Sequence, residues 1–579
     1  MRSPRRGVKL NPEVRAVGAW RRWAVMCVLL AGSGTVLARA FELQVLDNEF
    51  LQREGNKRAV RTLEVPAHRG AIRDRNGEPL ALSAPVESIW VVPRELLEQA
   101  EYIAPLAKLV GMRETELRAF LEARKTRQFV YLKRHMAPSD AERVLALKAP
   151  GVSSQREYSR FYPAGEVAGN LVGFTNIDGI GQEGMEAAQQ DLLSGTPGSR
   201  RVIRARDGRI VEDGPDFKPA ESGEDLYLTI DLRLQYLAYR ELKAAVQAHK
   251  AKGGLMVVVD TVSGEVLAIA NQPSFNPNRL EDRTSNGMRN RAVTDVFEPG
   301  STVKPLLLAE GIETGLVDPN EAIDTRPGYW MVAGHTVRDT HDYGVVDLSR
   351  MLVKSSNVAA AKIGLRMGAE EVYRGFEAFG FGQPLYSGFP GESMGVFRDW
   401  RGWGSIETAT AAFGYGISVT ALHLVRAYSG LANDGLMPQI TFIKDSPTIP
   451  PQRAVSAETA SAVRYLMEGV TNQGGTGTRA AVNGYRVAGK TGTVHKPIAG
   501  GYAENKYQGV FIGMLPAEHP RLVGLVMIDE PSEKGYYGGL TAAPVFARVM
   551  QAAARLLQIA PDQTPEQQTA SAQAAGARS

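Results

Sequence analysis

The residues most suited to chemistry in this sequence are a serine and a lysine three positions apart, Ser301 and Lys304. They form the only S-x-x-K pattern in the chain. Residues i and i+3 lie on one face of a helix, so the Lys304 amine can reach the Ser301 hydroxyl. Pro305 fixes where that helix begins, because proline is tolerated only in a first helical turn. The pair therefore predicts a nucleophilic serine with a lysine base at the positive end of a helix.

A lysine base at neutral pH sets an energetic requirement. The pKa of a free lysine is near ~10.4, so it must fall by roughly 3 units, or about 4–5 kcal/mol. A helix dipole supplies about 1 kcal/mol or less. We expect burial and a second cation to supply the balance, and Lys490 is the candidate for that cation.

Two further patterns follow in the order typical of serine acyl-transfer enzymes. Ser355 and Asn357 form an S-x-N, and Lys490 opens a K-T-G. The Ser355 hydroxyl can relay a proton to a leaving amine, and the Asn357 amide can hold a peptide group of the substrate. Another S-x-N at 274–276 precedes the candidate nucleophile, and we interpret it as an Asx-type turn. The order S-x-x-K, S-x-N, K-T-G, rather than any one of the patterns, is what indicates a serine acyl-transfer enzyme.

A glycine between two threonines completes the predicted cleft. On an edge strand, Gly492 lets a substrate backbone come close and bind as an added strand. The backbone N–H groups of Ser301 and Thr493 can then form an oxyanion hole. The hydroxyl groups of Thr491 and Thr493, with Lys490, suit a terminal carboxylate. The expected catalytic residues are Ser301, Lys304, Ser355, Asn357 and Lys490, and the expected substrate-binding residues are Thr491, Gly492 and Thr493.

The K-T-G stretch also allows a phosphate-loop interpretation. Residues 484–491 spell G-x-x-x-x-G-K-T, and the apolar run 524–530 ends in acidic residues, as a magnesium-binding strand would. A phosphate loop needs a buried strand before its first glycine and a helix that starts at the Lys-Thr. Loop-like residues precede the first glycine, and Pro497 with two further glycines follows, so the context does not fit. A phosphate-loop ATPase stays as a distant alternative.

The elements that must position these residues are clearest in the C-terminal part of the chain. Apolar periodicity predicts a long helix at 228–250 and two strands within 253–271. A mostly helical stretch at 301–470, three apolar strands and a closing helix at 541–559 follow. The short links between strands favour antiparallel pairing. The predicted fold class is therefore α+β, with a five-stranded antiparallel sheet, helices packed on it and a helical subdomain.

The N-terminus predicts a membrane anchor. Residues 1–22 are basic, and residues 23–38 carry no charge, which gives about 24 Å of helix against a bilayer core of ~30 Å. The apolar pattern resumes up to residue 46, and the basic flank places the N-terminus inside and the remainder outside. A cleaved signal peptide is the alternative, because residues 38–40 resemble a cleavage site.

The length of 579 residues predicts two or three domains. Residues 47–225 mix short strands and helices, with hairpin signals near Asn76-Gly77 and within 198–211 and helical spacing in 94–148. The expected organisation is a cytoplasmic basic segment at 1–22, an anchor at 23–46, a pedestal domain at 47–225, a catalytic domain at 226–560 and a disordered tail at 561–579.

Composition excludes several function classes. The net charge of +4 is small for this length, and no basic run with interleaved aromatic residues appears, so we expect no nucleic-acid partner. Cys27 is the only cysteine. It allows no internal disulfide, no cysteine zinc cluster and no redox pair.

These features resemble the class B penicillin-binding proteins, which are D,D-transpeptidases that cross-link peptidoglycan. The resemblance extends from the basic anchor to the closing helix. It rests on RGAIRDRNGEPLA at 69–81, RFYPAGEVAGNLVGFTNIDGIGQEGMEA at 160–187, LTIDLRLQ at 228–235, TDVFEPGSTVKP at 294–305, GYRVAGKTGT at 484–493 and YYGGLTAAPVF at 536–546. The last three stretches look like the septal, division-specific members of the family.

The resemblance implies a reaction and a set of partners. Ser301 would attack the penultimate D-Ala of a D-Ala-D-Ala stem peptide, and an amine of a neighbouring stem peptide would resolve the acyl-enzyme. Beta-lactam antibiotics would acylate Ser301. A septal glycosyltransferase and other divisome membrane proteins would be partners, and no metal or organic cofactor is implied. The catalytic domain would lie in the periplasm, on a single-pass anchor in the bacterial inner membrane.

Two alternatives share these motifs. A D,D-carboxypeptidase or a β-lactamase-like hydrolase would let water resolve the acyl-enzyme. A non-catalytic penicillin-binding sensor would keep the fold and only bind.

Overall fold

The computed structural model describes residues 19–46, 60–204, 210–447, 449–498 and 501–563. The chain divides into two compact units, residues 1–66 with 197–220 and residues 67–196 with 221–579. All the residues predicted to carry chemistry belong to the second unit. Most of the basic N-terminal segment and nearly all of the predicted disordered tail lie outside the described residues.

The first unit contains the apolar helix α1 (Ala19–Phe41), continued by a π-helical turn (Glu42–Leu46). The 23 residues of α1 span about 35 Å, which exceeds the ~30 Å bilayer core. Within the described part of the chain, this N-terminal segment is the one helix long and apolar enough to cross a membrane. The structure thus provides a helix of the length and composition that the predicted anchor requires.

The first unit also contains a three-stranded antiparallel sheet. Its order is β1-β8-β9, with β1 at Val60–Val65, β8 at Gly198–Arg204 and β9 at Ile210–Lys218. The antiparallel pairing of β8 with β9 is the one expected of the hairpin at 198–211. The turn predicted for that hairpin, at 207–208, lies outside the described residues.

The N-terminal part of the second unit is built on a mixed sheet in the order β10-β2-β3-β4, with β5 also paired to β3. Its strands are β2 (Ile72–Arg73), β3 (Pro79–Val91), β4 (Val130–Met136), β5 (Val152–Phe161) and β10 (Leu226–Tyr227), and a small hairpin joins β6 (Phe174–Thr175) to β7 (Gly181–Glu183). Its helices are α2 (Pro93–Leu97), α3 (Ile103–Val110), α4 (Glu114–Glu122), α5 (Pro138–Leu145), α6 (Gly169–Val172), α7 (Gly184–Ala188) and α8 (Gln190–Ser194).

One sequence-based expectation for this region is only partly right. Residues 94–148 have helical spacing, yet β4 interrupts them at Val130–Met136. The strand pairs antiparallel with β3, where Trp90 lies opposite Tyr131. Pairing with a distant strand overrides the helical spacing of this stretch, and the run Phe129-Val130-Tyr131 is the local signal for a strand that the helical interpretation passed over. The predicted hairpin at Asn76-Gly77 is confirmed, with Gly77 at a φ of +91° between β2 and β3.

The sheet of the C-terminal part has five strands, all antiparallel, in the order β12-β11-β21-β20-β19. They are β11 (Gly253–Asp260), β12 (Val266–Gln272), β19 (Ala488–Ile498), β20 (Gly501–Leu515) and β21 (Leu522–Asp529). The predicted fold class and strand number are confirmed. Strand β19, which contains the K-T-G, is at one edge.

Both faces of this sheet are buried, and β11 shows how. Leu255 and Val257 pack in one hydrophobic cluster, while Met256 and Val258 pack in another, as the two-residue period of a strand requires. Helices α9 (Leu232–Ala248) and α20 (Ala543–Leu556) cover the second face. The entirely buried helix α17 (Ala421–Ala432) lies against the first.

Helix α9 begins later than the predicted 228–250. Asp231 caps it by accepting a hydrogen bond from the Arg233 N–H. Leu228 is drawn instead into a bridge with Ile443, so the residues before Asp231 are extended. A capping aspartate one residue before the helix is a signal that the periodicity alone does not use.

The predicted helical stretch at 301–470 is a helical subdomain with three small two-stranded sheets inserted. Its helices are α12 (Lys304–Glu313), α13 (Leu348–Lys354), α14 (Asn357–Met367), α15 (Ala369–Ala378), α16 (Ser405–Ala411), α17 and α18 (Ala457–Glu468); short helices α10 (Ser285–Met288) and α11 (Arg291–Thr294) precede it and α19 (Gly538–Thr541) follows. The strands are β13 (Ala322–Asp324) with β16 (Val345–Asp347), β14 (Tyr329–Val332) with β15 (His335–Arg338), and β17 (Leu436–Met437) with β18 (Gln452–Arg453).

Candidate active site

Ser301 lies in a single 3-10 turn, Gly300–Val303, directly before helix α12. Gly300 has a φ of +54°, which favours glycine, and its N–H donates to the Gly414 carbonyl at 3.0 Å. A Cβ at Gly300 would overlap the side chain of Val494 on β19. The nucleophile turn is therefore held at the start of a helix and packed directly on the edge strand of the sheet.

The Lys304 amine is completely buried and lies 3.0 Å from Ser301 Oγ. Its other two close neighbours are the Ser355 carbonyl oxygen at 2.7 Å and Asn357 Oδ1 at 2.8 Å. Both of these oxygens are acceptors and cannot donate. In a neutral amine they take up the two N–H groups, and the lone pair is left facing the Ser301 hydroxyl. This is the arrangement that a general base for Ser301 requires.

The electrostatics of the site favour that neutral amine. Burial, reinforced by the neighbouring charge of Lys490, holds the pKa of Lys304 well below its usual range, while Asp339 acts in the opposite direction. Burial lowers the pKa of Lys490 to about 7. These shifts have the direction and the causes that the sequence predicts for a lysine base.

Ser355 joins the two lysines. Lys490 Nζ donates to Ser355 Oγ at 2.9 Å and to the Thr491 carbonyl at 3.1 Å. The same Ser355 Oγ lies 3.4 Å from Lys304 Nζ. A proton can thus pass between the two amines through one hydroxyl group.

The turn that holds Ser355 is fixed by a residue that sequence reasoning missed, Asp339. Its carboxylate accepts hydrogen bonds from Ser356 Oγ at 2.6 Å, from the Asn357 N–H at 2.5 Å and from the Val358 N–H at 3.1 Å. It therefore caps helix α14 where that helix begins, at the last residue of the S-x-N, and Ser355 itself adopts a φ of +60°. Asp339 follows hairpin β14–β15, and nothing in its spacing from Ser355 marks it.

The hydroxyl groups of the two threonines on β19 are hydrogen-bonded to residues other than the two lysines and Ser355. Thr491 Oγ1 donates to Thr476 Oγ1 at 2.8 Å, and Thr493 Oγ1 accepts from the Gly538 N–H at 3.1 Å. A Cβ on Gly492 would lie 3.0 Å from Thr302 Cγ2 and 3.3 Å from the Pro299 carbonyl. Gly492 thus also allows the edge strand to approach the nucleophile turn, a reason that the sequence did not indicate. Within the described residues, the strand pairs only with β20, so its outer edge can take an added strand.

The phosphate-loop alternative is wrong. Residues 488–498 form one continuous strand, so no helix begins at Lys490-Thr491 to direct amides at a phosphate. Lys490 instead points its amine at Ser355. Among the described residues, no group of three or more His, Cys, Asp or Glu side chains could hold a metal ion.

A buried lysine on a serine hydroxyl, with a second lysine joined to it through another serine, defines a class of serine acyl-transfer enzymes with a lysine base. Comparison with known protein families identifies the family within that class. Residues 254–551 match the penicillin binding protein transpeptidase domain, and residues 64–228 match the penicillin-binding protein dimerisation domain. The chain belongs to the class B penicillin-binding proteins, as its sequence predicts.

Relatives and solved structures agree with this assignment. The chain is 44% identical to the probable peptidoglycan D,D-transpeptidase PenA of Neisseria meningitidis serogroup A over 93% of its length and 92% of the relative. It is 39% identical to the peptidoglycan D,D-transpeptidase FtsI of Escherichia coli K12, over 94% and 93% of the two chains. A peptidoglycan synthetase structure from Bifidobacterium adolescentis covers 87% of this chain and 98% of its own, with a TM-score of 0.70 and 27% identity. The transpeptidase domain of Burkholderia pseudomallei penicillin-binding protein 3 covers 58% and 98%, with a TM-score of 0.54 and 38% identity.

Proposed function

We propose that this chain is a peptidoglycan D,D-transpeptidase that works through a Ser301 acyl-enzyme. The observation that carries the proposal is the buried Lys304 amine, 3.0 Å from Ser301 Oγ, with both of its N–H groups directed to other acceptors. The relatives named peptidoglycan D,D-transpeptidases, matched over nearly the whole chain, support the substrate class. Beta-lactams, as mimics of that substrate, would acylate the same serine.

Acylation begins with attack of Ser301 Oγ on the carbonyl carbon of the penultimate D-Ala. The hydroxyl proton passes to Lys304 Nζ as the new C–O bond forms. The N–H groups of Ser301 and Thr493 hold the oxyanion of the tetrahedral intermediate. Collapse breaks the C–N bond to the terminal D-Ala, whose nitrogen takes a proton through Ser355 Oγ. The products are an ester on Ser301 and free D-Ala.

The second half-reaction reverses these roles. An amine of a neighbouring stem peptide attacks the ester carbonyl and gives its proton to the Ser355–Lys304 pair. The Ser301 Oγ leaves as the hydroxyl and regains its proton from Lys304. One amide bond is broken and one is formed, so the cross-link needs no nucleotide cofactor.

Substrate binding follows from the strand edge. The donor stem peptide adds along β19, where Gly492 leaves the backbone accessible. Thr491, Thr493 and Lys490 receive the terminal carboxylate, and the Asn357 amide holds a backbone group of the substrate. The carboxylate would compete with Thr476 for the hydroxyl proton of Thr491, whereas the Thr493 hydroxyl can donate to it while still accepting from the Gly538 N–H.

The setting of the enzyme is part of the same proposal. A basic segment at 1–22 stays in the cytoplasm, an anchor at 23–46 crosses the inner membrane once, and a pedestal at 47–225 presents a catalytic domain at 226–560 to the periplasm, ahead of a tail at 561–579. The stretches that resemble septal members assign the enzyme to the division site. A septal glycosyltransferase and other divisome membrane proteins would then be its partners.

Transfer to an amine separates this function from its rivals. The full-length protein in detergent is mixed with a peptide donor that ends in D-Ala-D-Ala and with increasing amounts of an amine acceptor. We expect D-Ala release and a cross-linked product whose share rises with the acceptor, and neither in Ser301→Ala. Hydrolysis alone at every acceptor concentration would instead indicate a carboxypeptidase. Penicillin acylation without turnover of the donor would indicate a sensor.

A further inference from the structure

Glu298 lies three residues before the nucleophile and is 5% exposed. Its carboxylate has a role in neither the proton path nor the substrate contacts described above. Glu298 Oε1 accepts two hydrogen bonds, from the Gly416 N–H at 2.8 Å and from Tyr502 Oη at 3.0 Å. Its other oxygen, Oε2, is buried without a hydrogen-bond partner. A buried carboxylate oxygen without a hydrogen bond destabilises the folded state, so its presence calls for a functional explanation.

The two donors come from different parts of the fold. Gly416 belongs to a segment that also accepts the Gly300 N–H at its Gly414 carbonyl and pairs Val419 with Phe297. This segment therefore runs beside residues 297–300, which lead into the nucleophile turn, and contacts them at three points. Two of these contacts are backbone hydrogen bonds, and the third is the hydrogen bond from the Gly416 N–H to the Glu298 side chain.

Tyr502 comes from the far end of the β19–β20 hairpin, where it lies opposite Pro497. Its ring also meets Tyr415 edge-on at 5.7 Å between centroids. The same hairpin carries Thr493, whose N–H we propose as a donor of the oxyanion hole, and Val494, on which Gly300 packs. A contact from Tyr502 to Glu298 thus joins the hairpin that carries Thr493 to the residues just before Ser301.

We propose that Glu298 is a positioning residue, which ties the 414–416 segment and the β19–β20 hairpin to the nucleophile turn and so sets the spacing between Ser301 and Thr493. The inference rests on the proposed acyl-enzyme function. It concerns the geometry of acylation and not the affinity for the ligand, because Glu298 Oε1 is already occupied by two protein donors.

The protonation states fit this role. Burial and the neighbouring Glu298 raise the pKa of Tyr502, so the phenol keeps its proton and remains a donor. Burial raises the pKa of Glu298, opposed by its hydrogen bonds from Gly416 and Tyr502. Either form of the carboxyl leaves Oε1 able to accept both contacts when any proton resides on Oε2.

The test measures acylation by a fluorescent penicillin over a range of concentrations, which separates the dissociation constant of the initial complex from the rate constant of the acylation step. In Glu298→Ala both contacts to Oε1 are lost, and we expect the rate constant to fall at least about tenfold with an unchanged dissociation constant. Tyr502→Phe loses one contact, and we expect a fall of roughly threefold. Glu298→Gln keeps an acceptor at Oε1 and restores most of the rate.

The double variant and a matched control make the result decisive. Because the Tyr502 hydroxyl donates to Glu298, a double variant that combines Glu298→Ala with Tyr502→Phe should acylate no more slowly than Glu298→Ala alone. Tyr507→Phe removes another hydroxyl of the same strand, one that bonds the Glu504 carbonyl within the hairpin, and should leave the rate constant unchanged.

Three results would overturn the proposal: a wild-type acylation rate in Glu298→Ala, multiplying losses in the double variant, or a Glu298→Gln as slow as the alanine variant. Should Glu298→Ala fail to fold, a wild-type rate in Tyr502→Phe would overturn it. Lack of acylation in the wild-type protein would instead contradict the proposed function.

Discussion

Lys304 and Lys490 place two amines where burial disfavours a positive charge on either. Burial lowers the pKa of Lys490 to about 7, and burial together with the charge of Lys490 holds the pKa of Lys304 well below its usual range. The hydrogen bonds of the Lys304 amine determine which way its lone pair points. With Ser355 O and Asn357 Oδ1 as acceptors, the lone pair of Lys304 faces Ser301 Oγ. A serine hydroxyl and a basic amine therefore meet without a histidine.

A pH profile tests the coupling of the two lysines. Acylation should be lost as pH falls through the lowered pKa of Lys304, because the protonated amine cannot accept the Ser301 proton. Replacing Lys490 by alanine removes a neighbouring positive charge, which raises the pKa of Lys304. We expect the acidic limb of acylation to move to higher pH by about one to two units. The measurement is the penicillin acylation rate between pH 5 and 9.

Lys490→Arg is the matched control because it keeps the cation. Its acidic limb should stay near that of the wild-type protein even where the absolute rate falls. An alanine variant whose limb does not move would show that Lys490 does not depress the pKa of Lys304.

At the scale of elements, the site is assembled by three connections between secondary structures. The 3-10 turn before α12 presents Ser301, the link between α13 and α14 presents Ser355, and the edge strand β19 presents Lys490. Asp339 fixes the second of these by capping α14. Its loss should affect catalysis as well as stability, because Ser355 belongs to the turn that it holds.

Removing the Asp339 carboxylate tests this. Asp339→Ala leaves Ser356 Oγ and two backbone N–H groups without their acceptor, so the free energy of unfolding should fall by about 1–3 kcal/mol. Acylation should slow at least about tenfold as the Ser355 turn loosens. Chemical denaturation and penicillin acylation measure the two effects.

Asp347→Ala is the matched control. Asp347 caps α13 by accepting the Arg350 N–H at 2.7 Å, at the end of that helix away from Ser355. We expect a loss of about 1 kcal/mol in unfolding free energy with an unchanged acylation rate. Equal slowing in both variants would mean that Asp339 acts only through general stability.

The sequence predicted those elements that are specified by a local pattern of residues. Hydrophobic periodicity predicted the five strands and the helices α9 and α20, and the spacing of the motifs predicted that Ser301, Lys304, Ser355 and Lys490 meet. The helical spacing of 94–148 concealed β4, whose place in the sheet depends on pairing with β3. Asp339, Thr476 and the Glu298–Tyr502 contact were missed because only the folded chain brings these partners together.

At the scale of the whole molecule, an apolar N-terminal helix accompanies a catalytic part whose proposed substrate lies outside the cytoplasm. Helix α1 has the length to cross a bilayer, and the residues before it are basic. A cleaved signal peptide would satisfy the same sequence pattern. The fate of the N-terminus therefore decides between an anchored and a released enzyme.

Membrane fractionation tests the anchor. We expect the full-length protein to stay with the membrane after extraction with high salt or alkaline carbonate and to dissolve in detergent. Protease added to spheroplasts should digest the catalytic part and leave an N-terminal tag protected. As a control, a Leu29→Arg and Leu30→Arg double variant should fail to insert, because each arginine costs about 3 kcal/mol at the helix centre. A soluble wild-type chain that begins near residue 41 would show a cleaved signal peptide instead.

Acyl transfer at Ser301 is tested most directly by mass spectrometry of the full-length protein after reaction with benzylpenicillin. Trypsin cuts after Arg291 and Arg338 but spares Lys304 and Arg326, which precede prolines, so residues 292–338 form one peptide with Ser301 as its only serine. We predict one adduct with the mass of the intact penicillin, confined to Ser301 in this peptide and absent from Ser301→Ala and Lys304→Ala variants that remain folded. An adduct on another residue, or none on the folded wild-type protein, would contradict the Ser301 acyl-enzyme.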